Sequence, residues 1–253
     1  SVGQNFRRGE TAWDAIERLI AQEHELLVLP RPVPGQSAYD ACLNYILLEK
    51  DVERVLDLVE LCFLIIDTMA RKDLIHLQTT ARIDPDRAIE LLNYRFREHA
   101  CGFRFEAGQI IRVDSEYLHQ EVVRAALALL REEGFEGPND EFLKAHEHYR
   151  HGRCPEAITA ASNAFESTLK CICIGNGKAA AAGWKFGELL NQTIALGVLP
   201  PYLKRHFEAL FVFRSNEGGH GAGPQPHDAG EHEAAFALHL AASYIVFAVE
   251  SYK

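Results

Sequence analysis

At 253 residues, 47% of them apolar, the chain can bury the core of one large domain or two ordinary ones, which excludes a disordered chain. A net charge of −10 excludes an indiscriminate nucleic-acid binder, because a polyanion is repelled at long range. That acidity belongs to the first part: residues 1–143 hold 16 Lys and Arg against 26 Asp and Glu, whereas 144–253 hold 10 of each and carry 8 of the 12 histidines.

Helical spacing dominates the chain. A first helix is expected from about Glu10 to Val28, broken by Leu29-Pro30-Arg31-Pro32-Val33-Pro34-Gly35. Ser37 with Asp40 three residues on starts a second, and a third places Leu56, Val59, Cys62, Phe63 and Ile66 on one face. Asp84-Pro85 opens another, with proline at the first helical position. Phe103-Arg104-Phe105 and Gln109-Ile110-Ile111-Arg112-Val113 alternate around Glu106-Ala107-Gly108 as a short hairpin does. Asp114 or Ser115 caps a helix through Leu130, and the polar run 131–138 marks a boundary, with Asn139 capping the next helix. From Pro155 a long helix carries Ile158, Ala161, Phe165, Leu169 and Ile172, ending near Gly175. Helices at about 201–213 and 231–251 complete a bundle.

The stretch from Ala145 to Ile158 has the look of half a tetratricopeptide repeat, but no period recurs, so a helical hairpin is expected there. The apolar run Ala234 to Val249 is shorter than the roughly 20 residues that span a bilayer and reads as a buried helix, with no membrane association. The first residues lack the apolar core of a signal peptide, so a cytoplasmic protein is expected. Six cysteines without a Cys-x-x-Cys pair read as reduced thiols.

The segment richest in chemistry is Phe213 to Gly223, where Arg214 is followed by Ser215, Asn216, Gly218, Gly219, His220 and Gly221. Arginine offers a charged fork of donors for phosphate oxygens, and histidine exchanges a proton near neutral pH. The glycines allow a sharp turn and close approach of a ligand. Spacing alone leaves a second reading open, in which Arg214 caps helix carbonyls and the glycines end the helix. Gly175-Asn176-Gly177-Lys178 lacks phosphate-loop spacing and reads as a helix end. Neither His146, His148, His151 and Cys154 nor His220, His227 and His232 has a known zinc spacing, so no metal and no cofactor is expected.

Arg214 and His220, with five residues between them, resemble the arginine–histidine motif of HEPN domains. His220-Gly221 before an apolar helix is similar to the C-terminal branch found in abortive-infection proteins. Glu166-Ser167-Thr168-Leu169-Lys170, 48 residues before Arg214, resembles the Glu-x-x-x-Lys element of the helix facing that motif, although an i,i+4 surface pair reads equally well. The stretches 109–119 and 142–149 also look like the middle segment of such proteins. Ser215 departs from the pattern, since many members carry asparagine directly after the arginine and here Asn216 comes one residue later.

The resemblance implies a mainly α chain: a helical N-terminal regulatory or sensor domain over 1–137 with a hairpin near 103–113, then a HEPN-like bundle over 138–253. It implies a homodimer in which two motifs share a cleft, and metal-independent cleavage of RNA, tRNA among the candidates, by attack of the ribose 2′-hydroxyl. Arg214 and His220 would be catalytic. Ser215, Asn216, Glu166 and Lys170 would support them, and Gly218, Gly219 and Gly221 would give the loop its freedom. An antitoxin, a sensor partner or a phage trigger is the expected regulator. The alternatives are a non-catalytic HEPN-like nucleotide- or RNA-binding or dimerisation module, and a helical adaptor for protein partners.

Overall fold

Helix starts in the first part of the chain are fixed by side chains that take up backbone N–H groups the helix leaves unpaired. The computed structural model describes residues 10–70, 84–99, 101–114, 122–218 and 229–253. Thr11 and Asp14 form a reciprocal capping box at α1 (Ala12–Glu23), and Ser37 and Asp40 form the expected one at α2 (Ala38–Leu48). Asp51 caps α3 (Val52–Ile65), which runs into a π-turn at Ile66–Ala70, and Asp84 caps α4 (Pro85–Glu98) with Pro85 in its first turn. Helix α1 stops short of the expected Val28. Glu25 takes φ 56°, and the Leu26 N–H reaches the Ala21 carbonyl at 2.7 Å, a left-handed closure that ends the helix before the prolines.

By packing, the described chain forms two compact units, Ser1–Ile111 and Arg112–Lys253. In the first, α3 is used on two sides rather than along one face. Leu58 and Ile65 join Ile16, Ile20, Ala41 and Tyr45 of α1 and α2, with Cys62 packed against them. Leu56, Val59 and Phe63 instead pack with Phe105 and Ile110 of the hairpin and Ile89, Leu92 and Phe96 of α4. The hairpin is β1 (Phe103–Glu106) and β2 (Gln109–Arg112), joined by Ala107 and Gly108 at φ 57° and 90°, the primed turn that matches strand twist. Buried Asn93 of α4 pins it: its amide donates to the Phe105 carbonyl at 2.9 Å, and its oxygen accepts the Phe105 N–H at 2.7 Å.

The second unit is a helical bundle of α5 (Arg124–Leu130), α6 (Glu136–Arg150), α7 (Cys154–Gly175), α8 (Phe186–Ala195), α9 (Lys204–Gly218) and α10 (Glu231–Tyr252). Part of the helix expected from 114 to 130 lies outside the described residues. Helix α6 begins at Glu136 rather than after Asn139, because Gly137 and Pro138 sit in the first turn, where a missing N–H costs nothing. It forms with α7 the expected hairpin, turning at Gly152, φ 70°. Helix α8 has no counterpart in the expectations from sequence. Its apolar Phe186, Leu189 and Leu190 are correctly spaced, but lysine, a poor cap, stands at Lys185, where Glu188 supplies the acceptor at 2.9 Å.

Helix α7 is the core. Ala157, Ile158, Ala161, Ala164, Phe165, Leu169, Ile172 and Cys173 have no exposure, and Phe165 meets Phe186, Phe207 and Tyr244 at centroid distances of 6.1, 5.9 and 5.3 Å. Helix α10 lies against it through a buried stripe of Ala234, Ala237, Leu238, Ala241, Ala242, Ile245, Ala248 and Val249. By length and composition α10 could cross a membrane; its packing in the bundle accounts for that apolarity. Helix α7 ends at Gly175 in a turn with Gly177 at φ 79°, a C-cap and not a phosphate loop.

Removing the Asn93 amide leaves both Phe105 backbone groups buried without partners. Asn93→Ala is expected to lower the stability of the first unit by about 2–4 kcal/mol, read as a drop in its urea midpoint. An unchanged midpoint would mean that the hairpin does not depend on this clamp.

Candidate active site around Arg214

The polypeptide remains helical past Phe213, where the sequence pattern ends the helix, and α9 continues to Gly218. Arg214, Ser215, Asn216 and Gly218 therefore belong to the last turns of a helix rather than to a loop. Ser215 turns its hydroxyl back to the Phe211 carbonyl at 2.9 Å, a bond that suits a helix interior. His220, Gly219 and Gly221 lie outside the described residues, as does His227.

Among the described residues, Arg214 is held by side chains and not by helix carbonyls. Its Nη1 donates to Asn163 Oδ1 at 2.6 Å and stands 3.5 Å from Glu166 Oε2, while the guanidinium carbon is 5.1 Å from the centre of the Phe211 ring. Both polar contacts fall on Nη1. The side chain is 28% exposed, so the pair with Glu166 is only partly shielded from solvent and acts more to orient the arginine than to stabilise the fold. Glu166 thus reaches across to the motif arginine, and Lys170, one turn further along α7, is half-buried on the same helix. Asn163 was not anticipated. Its only sequence signal is a polar residue three positions before Glu166, which places it one turn earlier on the same face.

A second cluster joins two stretches that were separate in the sequence. Tyr149 of α6 donates a short hydrogen bond to Asp114, and Arg112 packs over the Tyr149 ring with its guanidinium carbon 5.2 Å from the ring centre. The same arginine is 3.2 Å from Asp114 and donates to Glu231 Oε2, at the start of α10, at 2.8 Å. Arg112 thereby ties the beginning of the second unit to the helix that comes after the motif segment. His146, Tyr149 and His239 line a small cavity beside it. Burial pushes the His239 imidazole below its ordinary range, against the pull of Asp114.

Among the described residues, no group of three or more His, Cys, Asp or Glu is placed to hold a metal ion. All six cysteines are free, and burial pushes the Cys42 and Cys62 thiols up to about 12, far from a reactive thiolate.

Two family models match the chain. One, described as AbiJ N-terminal domain 4, covers residues 2–128, and the other, described as a HEPN-like domain of the Abi C-terminal type, covers 136–252. The chain belongs to the abortive-infection family and ends in a HEPN-like domain. No curated protein and no solved structure matches it. The HEPN-like match begins with the first residue of α6 and ends with the last of α10. Helix α5 lies mostly within the N-terminal match, yet it packs on α6 and α10 in the second unit.

Because His239 is kept from taking up a proton when folded, its neutral form is a source of stability. That contribution is present above the usual histidine value of 6.5 and is lost as pH falls through the lowered folded value. The melting temperature is expected to fall on going from pH 7 to pH 5, and His239→Gln is expected to flatten that slope. An identical slope in the variant would remove His239 from the account.

Proposed function

We propose that the HEPN-like domain of this abortive-infection protein is a metal-independent RNA endonuclease acting at Arg214 and His220. The observation that carries it is the positioning of Arg214: a motif arginine held at Nη1 by Asn163 and Glu166 of a core helix, a few residues before the histidine in the sequence. The remaining nitrogens of the fork suit a phosphate oxygen, and charge developing on the phosphoryl group in the transition state would be met by a cation fixed in advance. His220 would act as general base, taking the proton from the 2′-hydroxyl, or as general acid, giving one to the leaving 5′-oxygen. The nucleophile belongs to the RNA, so no metal-bound water is needed to generate it. The acidic N-terminal domain would keep the activity silent until infection, in the cytoplasm, through an antitoxin, a sensor partner or a phage trigger.

One imidazole cannot remove one proton and deliver another in the same step, and a two-fold dimer would bring a second His220 to the same phosphate. An apolar patch beside the motif supports this arrangement. Phe236 of α10 is 57% exposed and meets Phe213 edge-on at 6.1 Å, and Val212 on α9 is 54% exposed.

A non-catalytic reading has one observation in its favour. The residue after the motif arginine, asparagine in many members, is Ser215, whose hydroxyl is turned to its own helix. On that reading Arg214 holds a nucleotide phosphate without cleavage.

Arg214→Ala and His220→Ala are each expected to abolish cleavage of total cellular RNA by the purified protein while leaving helical content unchanged. Cleavage by the wild type is expected to survive a strong chelator and to stop when the ribose at the cut is replaced by deoxyribose. Full activity of both variants, or equal cutting of DNA, would overturn the assignment.

Mixing an excess of the Arg214→Ala/His220→Ala chain with wild type tests the shared cleft separately. Activity is expected to fall below simple dilution. A monomer at micromolar concentration that still cuts RNA would dispose of the dimer.

A further inference from the structure

Beside the Arg214 contact, an open groove of about 540 Å³ lies between α6 and α7. Glu141, Lys144 and His148 form one wall, and Glu156, Thr159 and Asn163 the other, over a floor that includes Ala160. On each helix these positions are spaced by three and four, so each wall is a single stripe. Asn163 belongs both to the groove and to the arginine, since its Oδ1 accepts from Arg214 Nη1. From Asn163 to Glu156 the wall runs seven residues of helix, about 10 Å. A chain with a phosphate at Arg214 therefore has the groove directly alongside.

Two wall side chains hold buried polar atoms that lack a hydrogen-bond partner, Glu141 Oε2 and His148 Nδ1. Such atoms are costly and uncommon in folded proteins, and beside a groove a rotation of either side chain would let a ligand satisfy them. Burial, helped by the nearby Arg153, holds the His148 imidazole below its ordinary range, so the neutral ring has one acceptor nitrogen.

The mixture of charges narrows the ligand. Two carboxylates, one ammonium and a neutral ring do not suit a row of phosphates, which needs cations. They suit a flat polar ring with donors and acceptors along one edge. Guanine presents N1–H and its 2-amino group as adjacent donors with O6 as the acceptor next to them. A carboxylate takes the two donors, and a neighbouring ammonium gives to the oxygen. Glu141 and Lys144 stand three residues apart on α6 and offer that pair, whereas uracil brings one ring donor between two acceptors.

We propose that the groove between α6 and α7 is a guanine-binding subsite for an unpaired RNA nucleotide next to the phosphate held at Arg214. The phosphate's place rests on the ribonuclease function proposed for Arg214 and His220; the base recognition rests on the groove alone. Single-stranded RNA is commonly read through the Watson–Crick edges of unstacked bases, and a carboxylate left without its donors discriminates strongly against the wrong base.

Titration calorimetry of the full chain with the 3′-monophosphates of guanosine, adenosine, cytidine and uridine tests this. The guanosine nucleotide is expected to bind about tenfold or more tighter than the others. Glu141→Gln keeps the shape but replaces an acceptor by a donor, and is expected to erase the preference. Lys144→Ala, at an exposed position that the fold does not need, is expected to weaken it, and Arg214→Ala to weaken all four nucleotides alike. Absence of any preference in the wild type, or a preference retained by both the Glu141 and Lys144 variants, would overturn the subsite. A guanine preference in a protein that cuts no RNA would sink the ribonuclease reading and leave the subsite standing. RNA cleavage without base preference would do the reverse.

Discussion

The second unit depends on the close approach of two helices that are both rich in alanine. Ala157, Ala161 and Ala164 of α7 and Ala234, Ala237, Ala241, Ala242 and Ala248 of α10 are buried, and small side chains let helical backbones come near enough for dense packing. Phe165 fills the space beyond them with Phe186, Phe207 and Tyr244, which brings α8 and α9 onto the same helix. With α7 fixed on that side, its other face has a fixed direction too. Asn163 and Glu166 lie on that half-buried face, and Arg214 of α9 comes to them. The candidate site is thus positioned by core packing and not by the loop that first draws attention to it.

A site built this way has its arginine fixed by the bundle. Arg214 sits on a helix whose preceding turns are anchored by buried Phe207 and Leu210, and its guanidinium is held at one nitrogen. Preorganised charge is effective because it need not be reoriented when the reacting group arrives. Beyond the motif, Gly230 begins α10 with its N–H bonded to Glu233 at 2.6 Å, and Arg112 holds the neighbouring Glu231. Both flanks of the histidine-bearing segment are therefore tied to the bundle. The second tie belongs to the last residue of β2, with which the second unit begins.

Charge divides in the same way. The excess of carboxylates lies mostly in the first part of the sequence, and residues 144–253 hold equal numbers of acidic and basic side chains, so general repulsion of a polyanion is weakest there. An affinity for RNA, as proposed, would then come from a few directed contacts, which is the role the arginine and the polar groove would fill.

How much was legible divides along physical lines. The caps at Ser37 and Asp84, the primed turn at Ala107-Gly108, the helix end at Gly177 and the apolar stripe of α7 are local effects of one residue on backbone a few positions away, and sequence carries them directly. Helix bounds were misjudged where a local sign has two meanings. Gly137-Pro138 breaks a helix in its interior but fits in its first turn, and Ser215-Asn216 reads as loop but is helix when the hydroxyl bonds back to Phe211. By itself the sequence determined the mainly helical class, the hairpin and the family, because period, capping and motif spacing are properties of the chain alone. Only the tertiary structure decided that Asn163 and Glu166 hold Arg214, that Asp114 meets Tyr149, and that Glu141 and His148 share a groove with Asn163. These residues lie up to 51 positions apart, and which of them meet is set by the packing of alanines and aromatics that no local pattern records.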